Sequence, residues 1–116
     1  MSDVTIYHNA RCSNSRGALA LLRERGIEPR VVDYLQQPLT RDALQDLVAA
    51  MGCTVREVMR SKEPEYQSLG LGDAARTDAE LLDALAQHPV LLNRPIVTTA
   101  KGALLCRPPE RVLELL

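Results

Sequence analysis

The sequence predicts an α/β fold in which one mixed sheet carries packed helices, with an all-helical insertion between its second and third strands. Three observations predict it. An alternating apolar run, Val4-Thr5-Ile6-Tyr7, gives way to a polar loop and then to helical periodicity, and a second strand-like run, Arg30-Val31-Val32-Asp33-Tyr34, follows. Residues from about 40 to 88 show helical spacing throughout. The tail returns to strand texture at Ile96-Val97-Thr98-Thr99 and Ala103-Leu104-Leu105-Cys106. With 116 residues, 46% of them apolar, the chain is sized for one domain, 1–116, whose core needs neither disulfides nor metals.

The first helix is expected from Arg16 to Gly26. Ser13, Asn14 and Ser15 occupy cap and first-turn positions, where short polar side chains accept from unpaired N–H groups. Ala18, Leu19 and Leu22 form its apolar face, Gly26 is a C-cap, and Pro29 bars continuation. A helix joining the first two strands makes them parallel. In the insertion, Thr40 caps a helix that turns Leu44, Leu47 and Val48 inward and ends at Gly52. Short helices follow at 55–60 and 63–69, the second closed by Gly70 and Gly72. Thr77-Asp78-Ala79-Glu80 is a capping box opening a helix with Leu81, Leu82 and Leu85 inward, which His88 and Pro89 end. Lys101-Gly102 turns the last two strands into a hairpin, and Pro108-Pro109 start a final helix over 110–115.

That order, βαβ, helical block, ββα, is the thioredoxin-like layout. There a nucleophilic cysteine belongs at the first strand-to-helix junction, which is where Cys12 falls. A proline opening the third strand faces it. The candidate is Pro95, and the Arg94–Pro95 peptide is expected to be cis.

The totals exclude several classes. A net charge of −1 gives no electrostatic footprint for nucleic acid or a membrane surface, and no apolar run approaches spanning length. Three cysteines (Cys12, Cys53 and Cys106) without a leader-like segment fit a reduced cytoplasm rather than a disulfide scaffold. No two Cys or His residues have metal-ligand spacing, so no bound metal is expected. Lysine is confined to Lys62 and Lys101, which leaves the positive charge with arginine, the side chain suited to forked recognition of oxyanions.

A thiol at a helix N-terminus faces the positive end of the dipole, which contributes on the order of 1 kcal/mol. A free thiol starts near ~8.5, and keeping it ionised at neutral pH takes roughly two pKa units, about 3 kcal/mol. The dipole cannot suffice, so further cationic or hydrogen-bonding groups must converge on Cys12. Arg11, Arg16 and His8 are close in sequence; Arg94, Arg107 and Arg60 must be brought by the fold. Cys53 reads as packing filler, and Cys106, immediately before Arg107, as an alternative auxiliary thiol.

The chain resembles the glutaredoxin-coupled arsenate reductase family of the ArsC type, in its shorter branch, over essentially its whole length. The resemblance is carried by Ile6-Tyr7-His8-Asn9, Cys12, Ser15-Arg16, 56–60, His88-Pro89, Asn93-Arg94-Pro95-Ile96-Val97, Arg107-Pro108 and Val112-Leu113-Glu114, all in order. It implies that Cys12 attacks arsenate, that His8 helps depress its pKa, and that Arg60, Arg94 and Arg107 bind the oxyanion. It also implies glutathione as co-substrate and glutaredoxin as partner, with no bound nucleotide. Ser15 leaves no resolving thiol in the loop, unlike Cys-x-x-Cys thioredoxins and the Spx-type regulators that use a second cysteine. Ala18 stands where the Cys-x5-Arg loop of phosphatase-like arsenate reductases requires arginine. The alternatives are a glutathione-dependent reductase of another substrate on the same fold and a non-enzymatic, Spx-like partner-binding protein.

Overall fold

The computed structural model describes residues 3–116 and divides the chain into two compact units, one made of residues 3–37 and 94–116 and the other of Pro38–Asn93.

The first unit holds a four-stranded sheet of β1 (Thr5–His8), β2 (Arg30–Asp33), β3 (Ile96–Thr99) and β4 (Gly102–Leu105), in the order β2-β1-β3-β4. β1 pairs parallel with β2, as the intervening helix requires, and antiparallel with β3, with Ile6 opposite Val97. β3 and β4 form the expected hairpin, Ile96 opposite Leu105 and Thr99 opposite Gly102. Because β3 runs against β1 and β4 against β3, the C-terminal end of β1, the start of β3 and the end of β4 share one edge of the sheet. The Cys106 N–H donates to the Pro95 carbonyl at 2.9 Å and extends the ladder there.

Helix α1 (Ser13–Glu24) begins three residues earlier than expected, with Cys12 itself at the N-cap position. It ends in a Schellman arrangement: Gly26, at φ 74°, donates to the Arg23 carbonyl, and the Ile27 N–H returns to that of Leu22. Ala18 and Leu22 pack with Val4, Ile6, Val97, Cys106, Val112 and Leu115 into one apolar cluster, against which Leu19 and Ile27 lean. The final helix is a 3-10 segment, Pro109–Leu115, rather than an α-helix, and it lies against α1. The contact is close: a Cβ on Gly17 would sit 2.9 Å from the Pro109 Cγ. The Arg94–Pro95 peptide is cis as expected, and Arg107–Pro108, which carried no such expectation, is cis too.

The second unit is helical. Helix α2 (Arg41–Met51) is capped by the Thr40 hydroxyl, which accepts from the Ala43 N–H, and closes on Gly52 at φ 64°. Residues 55–60 supply only a 3-10 turn, Arg56–Val58, and α3 spans Pro64–Ser68. Arg56 explains why this stretch is compact without a long helix: its guanidinium donates to the Leu71 and Asp73 carbonyls and to the Tyr66 hydroxyl. Helix α4 (Asp78–Gln87) carries the capping box of Thr77 and Glu80, buries Leu81, Leu82 and Leu85, and packs on α2. No helix among the described residues is long and apolar enough to cross a membrane.

Candidate active site

The strand register decides which side chains meet. The edge shared by the end of β1, the start of β3 and the end of β4 gathers the Cys12 loop, Arg94 and Arg107. The Arg107 Nη1 lies 3.7 Å from the Cys12 Sγ and donates to the Arg94 carbonyl at 3.0 Å, while the Arg94 side chain also hydrogen-bonds the sulfur. Cys12 is partly exposed and Arg107 exposed, so the sulfur remains accessible.

Burial alone would raise the Cys12 pKa. The amide N–H groups of Ser15 and Asn14, then the Arg94 guanidinium through hydrogen bonding and charge, outweigh it and hold the thiol below its ordinary value. The helix N-terminus thus acts through two aimed donors as well as through its dipole. A thiolate with two guanidiniums at one opening is arranged to receive a tetrahedral oxyanion.

His8 ends β1, its ring partly buried and its Nδ1 without a hydrogen-bond partner among the described residues. Burial lowers its pKa; Asp33 opposes this, and Arg23 and Arg16 add to it. The imidazole is therefore mostly neutral at neutral pH, and the positive charge beside the Cys12 sulfur at that pH comes from arginine. Arg60 belongs to the helical unit, where its Nε pairs with Glu63 at 3.0 Å and its N–H donates to the Leu91 carbonyl. Arg16, one of the cations close to Cys12 in sequence, donates from Nη1 to the Ala10 carbonyl at 2.8 Å and so braces the loop.

The other cysteines differ from Cys12. Cys106 is fully buried in the apolar cluster, and burial pushes its thiol up to about 12. A sealed thiol that stays protonated at neutral pH is not poised to act as an auxiliary nucleophile. Cys53 is raised by burial and by Glu57. Among the described residues no group of three or more His, Cys, Asp or Glu side chains could hold a metal ion. Sequence reasoning assigns Asn9 and Ser15 no role in holding the loop, yet each makes hydrogen bonds there. Ser15 is completely buried, and the signal was available in its polar character at an inward-facing helical position.

A thioredoxin-like sheet with one activated cysteine at its first strand-to-helix junction defines a thiol-dependent enzyme. Comparison narrows the class. The model of the ArsC family matches residues 7–115, and the chain belongs to that family. It is 52% identical to the arsenate reductase of Rhizobium meliloti, over 97% of this chain and 81% of that protein. It is 49% identical to the arsenate reductase of Escherichia coli K12, over the whole of this chain and 82% of that protein. Among solved structures, the arsenate reductase from Vibrio cholerae superposes with a TM-score of 0.95 at 46% identity, covering 97% of both chains.

Proposed function

We propose that this protein reduces arsenate to arsenite with electrons from glutathione and glutaredoxin in the cytoplasm. The observation that carries the reading is the meeting of Cys12 with Arg94 and Arg107 at one accessible sheet edge, in a chain about half identical to named arsenate reductases.

Arsenate near neutral pH carries a charge like that of a phosphate monoester, roughly −1.5 to −2. Bringing it to a thiolate sets two anions together, and fixed guanidiniums offset the repulsion and take up charge in the transition state. Cys12 is the nucleophile: its sulfur bonds to arsenic(V), and one arsenate oxygen leaves as water after protonation. Glutathione sulfur then displaces a second oxygen, again as water. The glutaredoxin thiolate attacks the glutathione sulfur; the sulfur–arsenic bond breaks, its electron pair stays on arsenic, and a mixed disulfide departs. Arsenic(III), still on Cys12, is released by water as arsenite, and the thiol returns.

Arg94 and Arg107 bind the oxyanion in this reading, and the family resemblance assigns the same role to Arg60, of the helical unit. His8 assists the ionisation of Cys12. Its share grows as pH falls and its ring protonates, the range in which the thiolate most needs support.

The test is arsenate-dependent NADPH consumption in an assay coupled through glutathione, glutaredoxin and glutathione reductase. Turnover by the wild type and none by Cys12→Ser is expected. Turnover that persists in Cys12→Ser, or is absent from the wild type, would overturn the proposal.

A further inference from the structure

We propose that Asn9 and Ser15 are positioning residues that lock the Cys12 loop in the one shape that lays the Asn14 and Ser15 amides on the sulfur. The inference rests on the reading of Cys12 as nucleophile and adds to it the device that holds the nucleophile in place.

Asn9 spends its N–H, carbonyl and Oδ1 on this loop and its Nδ2 on the sheet unit behind it. Its N–H donates to the Ser15 hydroxyl oxygen at 3.2 Å, and its carbonyl accepts from the Cys12 N–H at 2.9 Å. Its Oδ1 accepts from the Arg11 N–H at 3.0 Å, and its Nδ2 makes a longer contact, 3.5 Å, to the hydroxyl of the buried Tyr34. The loop is therefore tied to the body of the sheet unit at Tyr34 and folded onto itself at Arg11 and Cys12. Ser15 closes the ring from the helix side. Its side chain is wholly buried, its oxygen receives Asn9, and its own amide points at the sulfur.

A wholly buried hydroxyl needs a partner, because burying one without a hydrogen bond costs free energy. The partner here is the Asn9 N–H, which has no place in the β1 ladder beyond His8 and would otherwise be left without an acceptor. One oxygen thus satisfies the strand end and fixes where the helix starts, and Cys12 is caught between the two. The charged groups that face the sulfur, Arg94 and Arg107, flank β3 and β4 and make no hydrogen bond in this link.

The test compares Ser15→Ala, Ser15→Thr and Asn9→Ala with the wild type by the rate of iodoacetamide alkylation of Cys12 across pH, with melting temperature measured alongside. Ser15→Ala keeps the amide but deletes the oxygen, and losing one hydrogen bond of this kind slows alkylation at neutral pH about five-fold. The rate profile moves to higher pH, Asn9→Ala moves it in the same direction, and Ser15→Thr, which restores the oxygen, recovers most of the rate. In the arsenate assay kcat falls while KM stays close to the wild-type value, because the oxyanion-binding arginines are untouched. Wild-type alkylation profiles in both Ser15→Ala and Asn9→Ala, with melting temperature alone lowered, would overturn the inference. Alkylation needs no arsenate, so a chain inactive on arsenate would leave this result readable.

Discussion

Arg94 and Arg107 reach one sulfur from two strands, and each offers a planar fork that lysine lacks. Arg94→Lys or Arg107→Lys keeps the charge and loses the geometry. Each lost charge-assisted hydrogen bond is worth about 1.5–3 kcal/mol, so turnover should fall tenfold or more. Unchanged turnover in both variants, measured in the coupled assay, would contradict the oxyanion role. The three thiols should also separate by reactivity. Cys12 is held low by amides and guanidinium, whereas burial raises Cys53 and Cys106, so native alkylation followed by peptide mass mapping should mark Cys12 first and Cys106 last. Cys106 has a consequence for stability with a definite sign. Its folded pKa of about 12 lies above the ordinary thiol value near ~8.5, so its stabilising share is complete below the lower value. It is lost as pH rises from there towards the higher one, where the unfolded chain releases a proton that the folded chain keeps. Denaturation midpoints should therefore fall more steeply with alkaline pH in the wild type than in Cys106→Ala.

Elements set where those residues can stand. Gly17 lies inside α1, where alanine would gain about 1 kcal/mol of helix propensity. A Cβ there would meet the Pro109 ring at 2.9 Å, and overpacking of this kind costs about 1–3 kcal/mol. The contact wins, since the proline ring cannot swing aside, and Gly17→Ala should lower the melting temperature. A rise would show that propensity governs the site. Much of the element order was legible because local chemistry and tertiary context agree: the Thr77–Glu80 box, the Thr40 cap and the Gly26 and Gly52 termini are decided by neighbours in sequence. What was not legible has a common cause. The stretch 55–60 is held by the Arg56 guanidinium reaching Leu71 and Asp73, and the C-terminal segment tightens to a 3-10 helix packed on α1. Long-range partners made both decisions. The start of α1 was misplaced by three residues because Cys12, a poor capping side chain, takes the cap position without making a cap hydrogen bond.

For the molecule as a whole, the site follows from topology more than from any single motif. The β2-β1-β3-β4 order brings chain positions 12, 94 and 107 to one edge, and that convergence could be anticipated from the strand order alone. The roles of Asn9 and Ser15 could not, because they depend on which N–H is left over where β1 stops. Electrons in the proposed cycle come from outside the chain, with Ser15 where a resolving thiol would stand and Cys106 sealed in the apolar cluster. The double variant Cys53→Ser, Cys106→Ala should therefore keep glutathione-dependent turnover within about twofold of wild type, although loss of the buried Cys106 sulfur should cost some stability. Loss of turnover with the fold intact would point to an internal disulfide. Every step of this account begins from an ionised sulfur, and the direct measurement is the ultraviolet thiolate titration of Cys12 in that double variant. A midpoint well below the ordinary thiol value, moved upward by Arg94→Gln, is the predicted result; a midpoint at or above that value would contradict the account.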